Sequence, residues 1–173
     1  MRLFIAVDFN EFEGYFHELQ SLLPKNAKLN LTKVFHLTLK FLGEVQPKDA
    51  KAIIRVLKPI KFDGFHLFLD SIGVFPSESY IRVMWVGLNP ADNILDLQKV
   101  IDDSLKSMFK KENCFKPHIT LARVKYVEDK KSFAEKLKNI EVEKKKIEIK
   151  EFKLIKSTLS PKGPSYEDLA VFG

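Results

Sequence analysis

The sequence is an approximate duplication, and this repeat constrains the fold more than any other feature. A strand that carries a histidine, a helix, a long strand, a turn with proline and a further strand occur twice in the same order. His36 and Pro76 mark the first copy, and His118 and Pro161 mark the second. A duplicated α+β unit usually buries, between its copies, the sheet faces that neither copy covers alone. We therefore predict two lobes, related by a pseudo-two-fold axis, around a central groove.

The elements of the repeat follow from hydrophobic periodicity and turn residues. Strands are predicted at 2–9, 34–42, 62–75, 80–88, 118–127, 147–159 and 166–172. Helices are predicted at 11–23, 47–57, 90–109 and 128–137. Proline-containing turns at 76–79 and 160–164 join the paired strands. We expect the whole chain, 1–173, to form a single bilobal α+β domain.

Charge, cysteine content and hydropathy limit the setting in which the chain acts. Its 29 Lys and Arg against 23 Asp and Glu give a net charge of +6, which favours polyanions such as RNA, although interspersed charges are also typical of heat-adapted proteins. The single cysteine, Cys114, cannot form an internal disulfide and is expected to be a small buried residue. No apolar run approaches the roughly 18 residues of a membrane span. These features predict a cytoplasmic protein that does not engage a membrane.

Two of the four histidines are followed, two positions later, by a threonine at equivalent places in the two copies. Residues i and i+2 of a strand point to the same face, so each motif presents an imidazole beside a hydroxyl. The groove would then hold two imidazoles and two hydroxyls. We interpret His36 and His118 as catalytic residues, and Thr38 and Thr120 as donors to the oxygens of a phosphate.

Two imidazoles without carboxylate partners suit a pair of proton transfers, one from an attacking water and one to a leaving oxygen. The reaction that they serve best is phosphodiester cleavage, and a strained 2′,3′-cyclic phosphate is a favourable substrate. The motifs lack metal-ligand spacing, so we predict no metal and no cofactor. We take His36 as the acid and His118 as the base; symmetry leaves the reverse assignment open.

Three further residues are candidate substrate contacts. By strand alternation Lys40 shares the face of His36, where it would reach the phosphate or a flanking nucleotide, or lie on the rim. Arg123 has the opposite parity to His118, so only a bulge or the end of the strand would turn it toward the groove. Phe4 offers a ring on which a base can stack, with core packing as the other interpretation.

Residues 36–44 and 117–123 resemble the two signature motifs of the two-histidine phosphoesterases. Within them the chain resembles the LigT-like branch of RNA 2′,3′-cyclic phosphodiesterases, historically called 2′-5′ RNA ligases. Segments 2–7, 73–76, 85–87 and 159–166 are also similar to that branch. The resemblance implies a bilobal fold in which antiparallel sheets line the cleft and the helices lie outside. It also places Arg123 within the second signature.

The resemblance implies hydrolysis of a cyclic phosphate to a 2′-phosphomonoester, accompanied by a reversible, ATP-independent joining of RNA ends through a 2′-5′ linkage. The expected substrates are RNAs with 2′,3′-cyclic phosphate ends, tRNA fragments among them, and small cyclic nucleotides, acted on by a monomer. Two other interpretations stay open: a non-catalytic module that binds RNA ends or nucleotides in the same cleft, and a metal-dependent hydrolase.

Overall fold

The computed structural model describes residues 1–161 and 163–173. The strands are β1 (Arg2–Asp8), β2 (Ala27–Leu31), β3 (His36–Glu44), β4 (Phe65–Ser77), β5 (Tyr80–Asn89), β6 (His118–Val127), β7 (Lys146–Ile149), β8 (Phe152–Ser160) and β9 (Gly163–Phe172). The helices are α1 (Glu13–Leu22), which a short 3-10 helix at Asn10–Phe12 precedes, α2 (Pro47–Leu57), α3 (Asp92–Ser104) and α4 (Lys130–Lys138). Within the described ranges, none of these helices combines the length and the apolar composition that crossing a membrane requires.

The strands form two sheets in which the neighbouring strands are antiparallel. One sheet has four strands in the order β3-β1-β8-β9, and the other has five in the order β2-β6-β5-β4-β7. The sheets approach each other along β3 and β6, where Cα atoms of the two strands lie within 8 Å. The predicted bilobal α+β fold is confirmed.

The two lobes are not the two sequence copies. β3 belongs to the first copy but shares its sheet with β8 and β9 of the second, while β6 belongs to the second copy but pairs with β5 of the first. Each sheet therefore needs strands from both copies. This exchange places the two histidine strands in different sheets, at the junction between them.

The helices cover the faces that point away from the histidines. Leu37 and Leu39 of β3, and Ile119 and Leu121 of β6, are almost completely buried. Helix α3 packs on β3 and helix α1 packs on β6, and one continuous apolar core passes beneath both sheets. Each of these aliphatic side chains contributes roughly 1.5–3 kcal/mol through burial, so the motif residues beside the histidines anchor the strands.

The predicted strand at 147–159 is wrong, because this segment is two strands in different sheets. β7 lies at the edge of the five-stranded sheet and β8 lies inside the four-stranded sheet. The apolar residues change parity between them, from Ile147 and Ile149 to Phe152 and Leu154. The chain crosses between the lobes where that parity changes. The largely exposed edge strand β2 was not predicted, and Lys162 of the predicted turn at 160–164 lies outside the described residues.

A β-bulge follows the threonine of β3. In the pairing with β1, Thr38 and Lys40 lie opposite consecutive residues, so Leu39 is the extra residue. A bulge resets the alternation of side chains. Leu39 and Lys40 are consequently both buried, and Phe41 is 64% exposed. The prediction that Lys40 shares the face of His36 is therefore wrong, because Lys40 points into the interior and is only 3% exposed.

The buried ammonium of Lys40 has a complete set of partners. It forms an ion pair with the carboxylate of Asp102 on α3 and donates a hydrogen bond to the carbonyl of Lys110 at 2.7 Å. Asp102 also accepts a hydrogen bond from the backbone N–H of Glu112 at 2.9 Å. Buried charges persist only when they are paired and hydrogen-bonded in this way. The pair ties β3 to α3 and to the loop that leads into β6.

A matching bulge follows the threonine of β6. Leu121 is the extra residue in the pairing with β5, so Leu121 and Ala122 are both buried and Arg123 is exposed. The carbonyl of Leu121 accepts the backbone N–H of Thr32 at 2.9 Å and the side-chain amide of Gln20 at 2.8 Å. These two donors fix the bulge, and the bulge turns Arg123 to the groove face.

We predict that Lys40→Met destabilises the fold by about 3–5 kcal/mol, because it leaves the carboxylate of Asp102 buried without its cation. The double variant Lys40→Met/Asp102→Leu should recover most of this loss, since it removes both charges. The exposed pair of Lys111 and Asp103, at 2.8 Å, provides the control: Lys111→Met should destabilise the fold far less, because solvent screens this pair. Urea denaturation measures all three, and equal effects of Lys40→Met and Lys111→Met would contradict the buried pair.

Candidate active site

His36 begins β3 in a largely aromatic environment. Its ring packs on Phe4, with 4.9 Å between the centroids, and against the edge of Tyr166 at 5.1 Å. Burial lowers the pKa of His36 to about 4, and the nearby charge of Asp8 opposes this shift only in part. The imidazole is therefore neutral at neutral pH and available to accept a proton.

His118 begins β6 and is held by a hydrogen bond as well as by rings. Its Nδ1 lies 2.7 Å from the carbonyl oxygen of Lys116. A carbonyl only accepts, so Nδ1 carries the hydrogen and Nε2 is the atom left for chemistry. Burial lowers the pKa of His118; the bond to the Lys116 carbonyl raises it, and the charges of Lys116 and Arg123 lower it further.

A wall of aromatic rings orients His118. The ring of Phe75 meets the imidazole edge-on at 4.9 Å, and that of Trp85 lies 6.1 Å away. The ammonium of Lys116 lies over Trp85, 4.4 Å from its centroid. A Cβ at Gly73 would collide with the Trp85 ring, so only glycine lets the indole lie against β4. The wall limits rotation of the imidazole that the Lys116 carbonyl already holds.

Thr38 and Thr120 share the faces of their histidines, as the spacing predicts. Both are partly exposed and alternate with buried leucine and isoleucine residues. Among the described residues, neither threonine hydroxyl has a hydrogen-bond partner. Each hydroxyl is thus free to donate to a bound oxygen.

Tyr166 lies on the His36 side of the groove, and the residue-by-residue interpretation of the sequence missed it. Its ring packs on His36 and on Phe4, although β9 lies at the far edge of the sheet. Burial raises the pKa of Tyr166, while the charges of Arg123 and Arg2 lower it. Arg123 on one sheet therefore acts on a residue that contacts His36 on the other. The available signal was the repeat, in which Tyr166 corresponds to Tyr80.

The structure also separates the three weaker candidates. Arg123 lies on the groove face because of the bulge in β6, and Lys40 is withdrawn into the core. Phe4 is on the groove side of β1, but it is only 4% exposed beneath the neighbouring rings, so core packing is the correct interpretation. The accessible ring is Phe41, 6.2 Å from Phe4. Phe41 occupies the position in its motif that Arg123 occupies in the other.

The expectation that Cys114 is buried is wrong, because its side chain is exposed in the loop before β6. In the part of the chain that the structure describes, no three His, Cys, Asp or Glu side chains come together in a group suited to a metal.

Two sheets that each present a strand with histidine and threonine to a shared cleft define the class of two-histidine phosphoesterases. The profile of the LigT-like phosphoesterases matches this chain twice, over residues 9–85 and 86–166, with one histidine motif in each match. The chain therefore belongs to the LigT-like phosphoesterase family. The predicted family is confirmed, and so is the predicted class of enzyme, a phosphodiesterase.

Curated relatives and solved structures match this chain over nearly its whole length. The chain is 38% identical to an RNA 2′,3′-cyclic phosphodiesterase of Methanocaldococcus jannaschii, over 96% of this chain and 97% of that protein. It is 33% identical to one of Thermotoga maritima, over 98% and 93%. Among solved structures it is similar to TT0787 of Thermus thermophilus (TM-score 0.77, 27% identity, 99% and 97% covered). It is equally similar to Escherichia coli LigT complexed with 3′-AMP (TM-score 0.77, 27% identity, 98% and 95% covered).

We predict that His36 makes the stability of the protein depend on pH. Its pKa is about 4 in the folded protein, against 6.5 for an unperturbed imidazole. The unfolded chain therefore binds the proton first as the pH falls. The neutral ring contributes about 3 kcal/mol to the free energy of unfolding, and this contribution is complete above pH 6.5. It is lost progressively as the pH falls from 6.5 to about 4.

Urea denaturation between pH 4 and 7 tests this, and His36→Gln should flatten the dependence. His17→Gln is the control, because His17 is exposed and its hydrogen bonds to Gln20 and Glu13 raise its pKa, a shift of the opposite sign. An unchanged pH slope in His36→Gln would show that this ring is not held neutral.

Proposed function

We propose that the protein hydrolyses 2′,3′-cyclic phosphate ends of RNA to 2′-phosphomonoesters, without a metal, through His36 and His118. The observation that carries the proposal is the pair of partly buried imidazoles on adjoining strands, each beside a threonine hydroxyl without a partner among the described residues. The names of the relatives support the choice of a cyclic phosphate. Small 2′,3′-cyclic nucleotides carry the same reacting group and are substrates as well.

The two histidines lie in different surroundings, which supports a division of roles. His36 has the pKa of about 4 and enters the reaction neutral, as the base. The ring of His118 donates from Nδ1 to a carbonyl, an interaction that stabilises its protonated form. His118 is therefore the better acid. This reverses the assignment taken from the sequence.

In the proposed step, water attacks phosphorus and loses its proton to His36 as the bond between phosphorus and the 3′ oxygen breaks. Nε2 of His118 gives its proton to that oxygen, leaving a 3′-hydroxyl and a 2′-phosphate. The histidines end with exchanged protonation states and return to the starting state through solvent. Thr38 and Thr120 donate to the non-bridging oxygens, and Arg123 supplies positive charge near them.

In the proposed step a 5′-hydroxyl of a second RNA could take the place of water. Its attack would break the same bond and leave a 2′-5′ diester and a 3′-hydroxyl, so ligation needs no ATP and no further group. We propose that the chain, 1–173, performs these reactions as one domain and as a monomer, since each sheet already combines strands of both copies. The cytoplasmic location and tRNA fragments as substrates stay predictions.

The first test is hydrolysis of 2′,3′-cyclic AMP by His36→Ala and His118→Ala. Each variant should lose about 10²–10⁴-fold in kcat, the usual contribution of a general acid or base, and the wild type should yield 2′-AMP and be unaffected by EDTA. His17→Ala, exposed on α1, should retain full activity. Wild-type turnover in the two groove variants would show that these histidines are not the catalytic residues. No turnover in the wild type would instead support a module that only binds RNA ends, and loss of activity in EDTA would support a metal-dependent hydrolase.

The acid and the base are distinguished by a substrate with sulfur in place of the bridging 3′ oxygen. A thiolate leaves without protonation far more readily than an alkoxide, because a thiol has a pKa near 8.5. The sulfur substrate should restore most of the rate to His118→Ala and little to His36→Ala. Rescue of His36→Ala instead would return the acid role to His36.

A further inference from the structure

The groove face of the five-stranded sheet continues past the active site to the tip of the β4–β5 hairpin. A further bulge, at Arg82, interrupts the pairing of β5 with β4. Ile81 is buried in the core, and its neighbours Tyr80 and Arg82 are exposed on the opposite side. The guanidinium of Arg82 lies over the ring of Tyr80, 5.5 Å from its centroid. We name Tyr80, Arg82 and Arg123 the hairpin patch.

The hairpin patch is continuous with the active site. Arg123 lies opposite Val83, the residue next to Arg82, and its charge acts on His118. Tyr80 lies three residues before Val83, roughly 10 Å further along the strand. A chain of adjoining residues thus leads from the catalytic imidazole to an exposed aromatic ring.

The arginines of the hairpin patch are not neutralised by neighbours. Among the described residues, neither Arg82 nor Arg123 has a carboxylate within ion-pair distance. The acid at the hairpin tip, Glu78, is itself paired with Lys138 of α4 at 2.9 Å.

The lysines of the four-stranded sheet differ in this respect. Lys153 is paired with Asp8 and Asp168, and Lys156 is paired with Glu167. Arg2 is the exposed arginine on that side, and it acts on Tyr166. Among the described residues, the hairpin side therefore offers two arginines without an ion-pair partner beside the ring of Tyr80, whereas the four-stranded side offers one, Arg2, near Tyr166.

We propose that the hairpin patch binds the nucleotides that precede the cyclic phosphate, so that the preferred substrate is an RNA strand and not a free cyclic nucleotide. This rests on the proposed function. Guanidinium groups bind backbone phosphates, and a tyrosine ring stacks on an unpaired base of any sequence. With the terminal phosphate at His36 and His118, the strand leaves the groove past Arg123 and Arg82, and a base stacks on Tyr80.

The test compares 2′,3′-cyclic AMP with a hexanucleotide that ends in adenosine 2′,3′-cyclic phosphate. Tyr80→Ala and Arg82→Gln should each lower kcat/KM for the hexanucleotide about tenfold, within the range for loss of one stacked base or one phosphate contact. Both should leave kcat/KM for cyclic AMP unchanged. Arg82→Gln should also reduce the dependence of log kcat/KM on log salt concentration by about 0.7, the effect of one contact to a single strand.

Two variants serve as comparisons. Arg55→Gln removes an exposed arginine in the last turn of the outer helix α2 and should leave kcat/KM unchanged for both substrates. Arg2→Gln tests the opposite exit, and a loss confined to the hexanucleotide there, with none in Arg82→Gln, would overturn the proposal.

Equal losses on both substrates in the hairpin variants would also overturn it, because the residues would then act through the active site. So would unchanged activity on both substrates. In each of these cases cyclic AMP is still hydrolysed by the wild type, so the proposed function survives. A wild type that hydrolyses neither substrate would overturn both proposals.

Discussion

The extra residue in each histidine strand is the constraint on which the site depends. In a regular strand, residues 36, 38 and 40 would share one face. Residues 118, 120 and 122 would likewise share one face of the other strand. The bulges at Leu39 and Leu121 end that alternation directly after the threonines. Each motif therefore has two parts: a regular stretch that presents histidine and threonine, and a reset that sends one residue inward and the next outward. The inward residues are Lys40 and Ala122, and the outward residues are Phe41 and Arg123.

The two copies use the same backbone device for different chemistry. In β6 the bulge carbonyl is satisfied by Gln20 and Thr32, and the inward residue is a small alanine. In β3 the inward residue is Lys40, whose charge requires Asp102 and the carbonyl of Lys110. The outward positions differ too, a phenylalanine on one side and an arginine on the other. A pseudo-symmetric backbone thus carries an asymmetric groove, as an asymmetric substrate such as a nucleotide requires.

The part of the site that the sequence could predict is the part governed by local periodicity. The spacing of His36 and Thr38 needs only the two-residue period of a strand, so their place on one face followed directly. The position of Lys40 depends on a bulge, and no residue type at Leu39 distinguishes a bulge from a regular strand. Phe4 is buried partly because Tyr166 of β9 packs on it, and a contact between residues so distant in sequence is not visible in local periodicity. The parity change between Ile149 and Phe152, in contrast, is visible in the sequence, and it marks the crossing from β7 to β8.

The groove around the imidazoles is lined by aromatic rings and hydroxyls, which bury the imidazoles without bonding a carboxylate to them. A carboxylate bonded to either ring would raise its pKa and hold it protonated, whereas Phe4, Phe75, Trp85 and Tyr166 remove water without adding charge. These surroundings therefore favour neutral rings. In the proposed function a bound phosphate would bring negative charge, which would raise the pKa of both imidazoles and favour protonation of His118, whose Nδ1 already donates to a carbonyl. Under the proposed function the substrate itself would complete the acid, and a proton would be held at the leaving oxygen only when there is a phosphate to cleave.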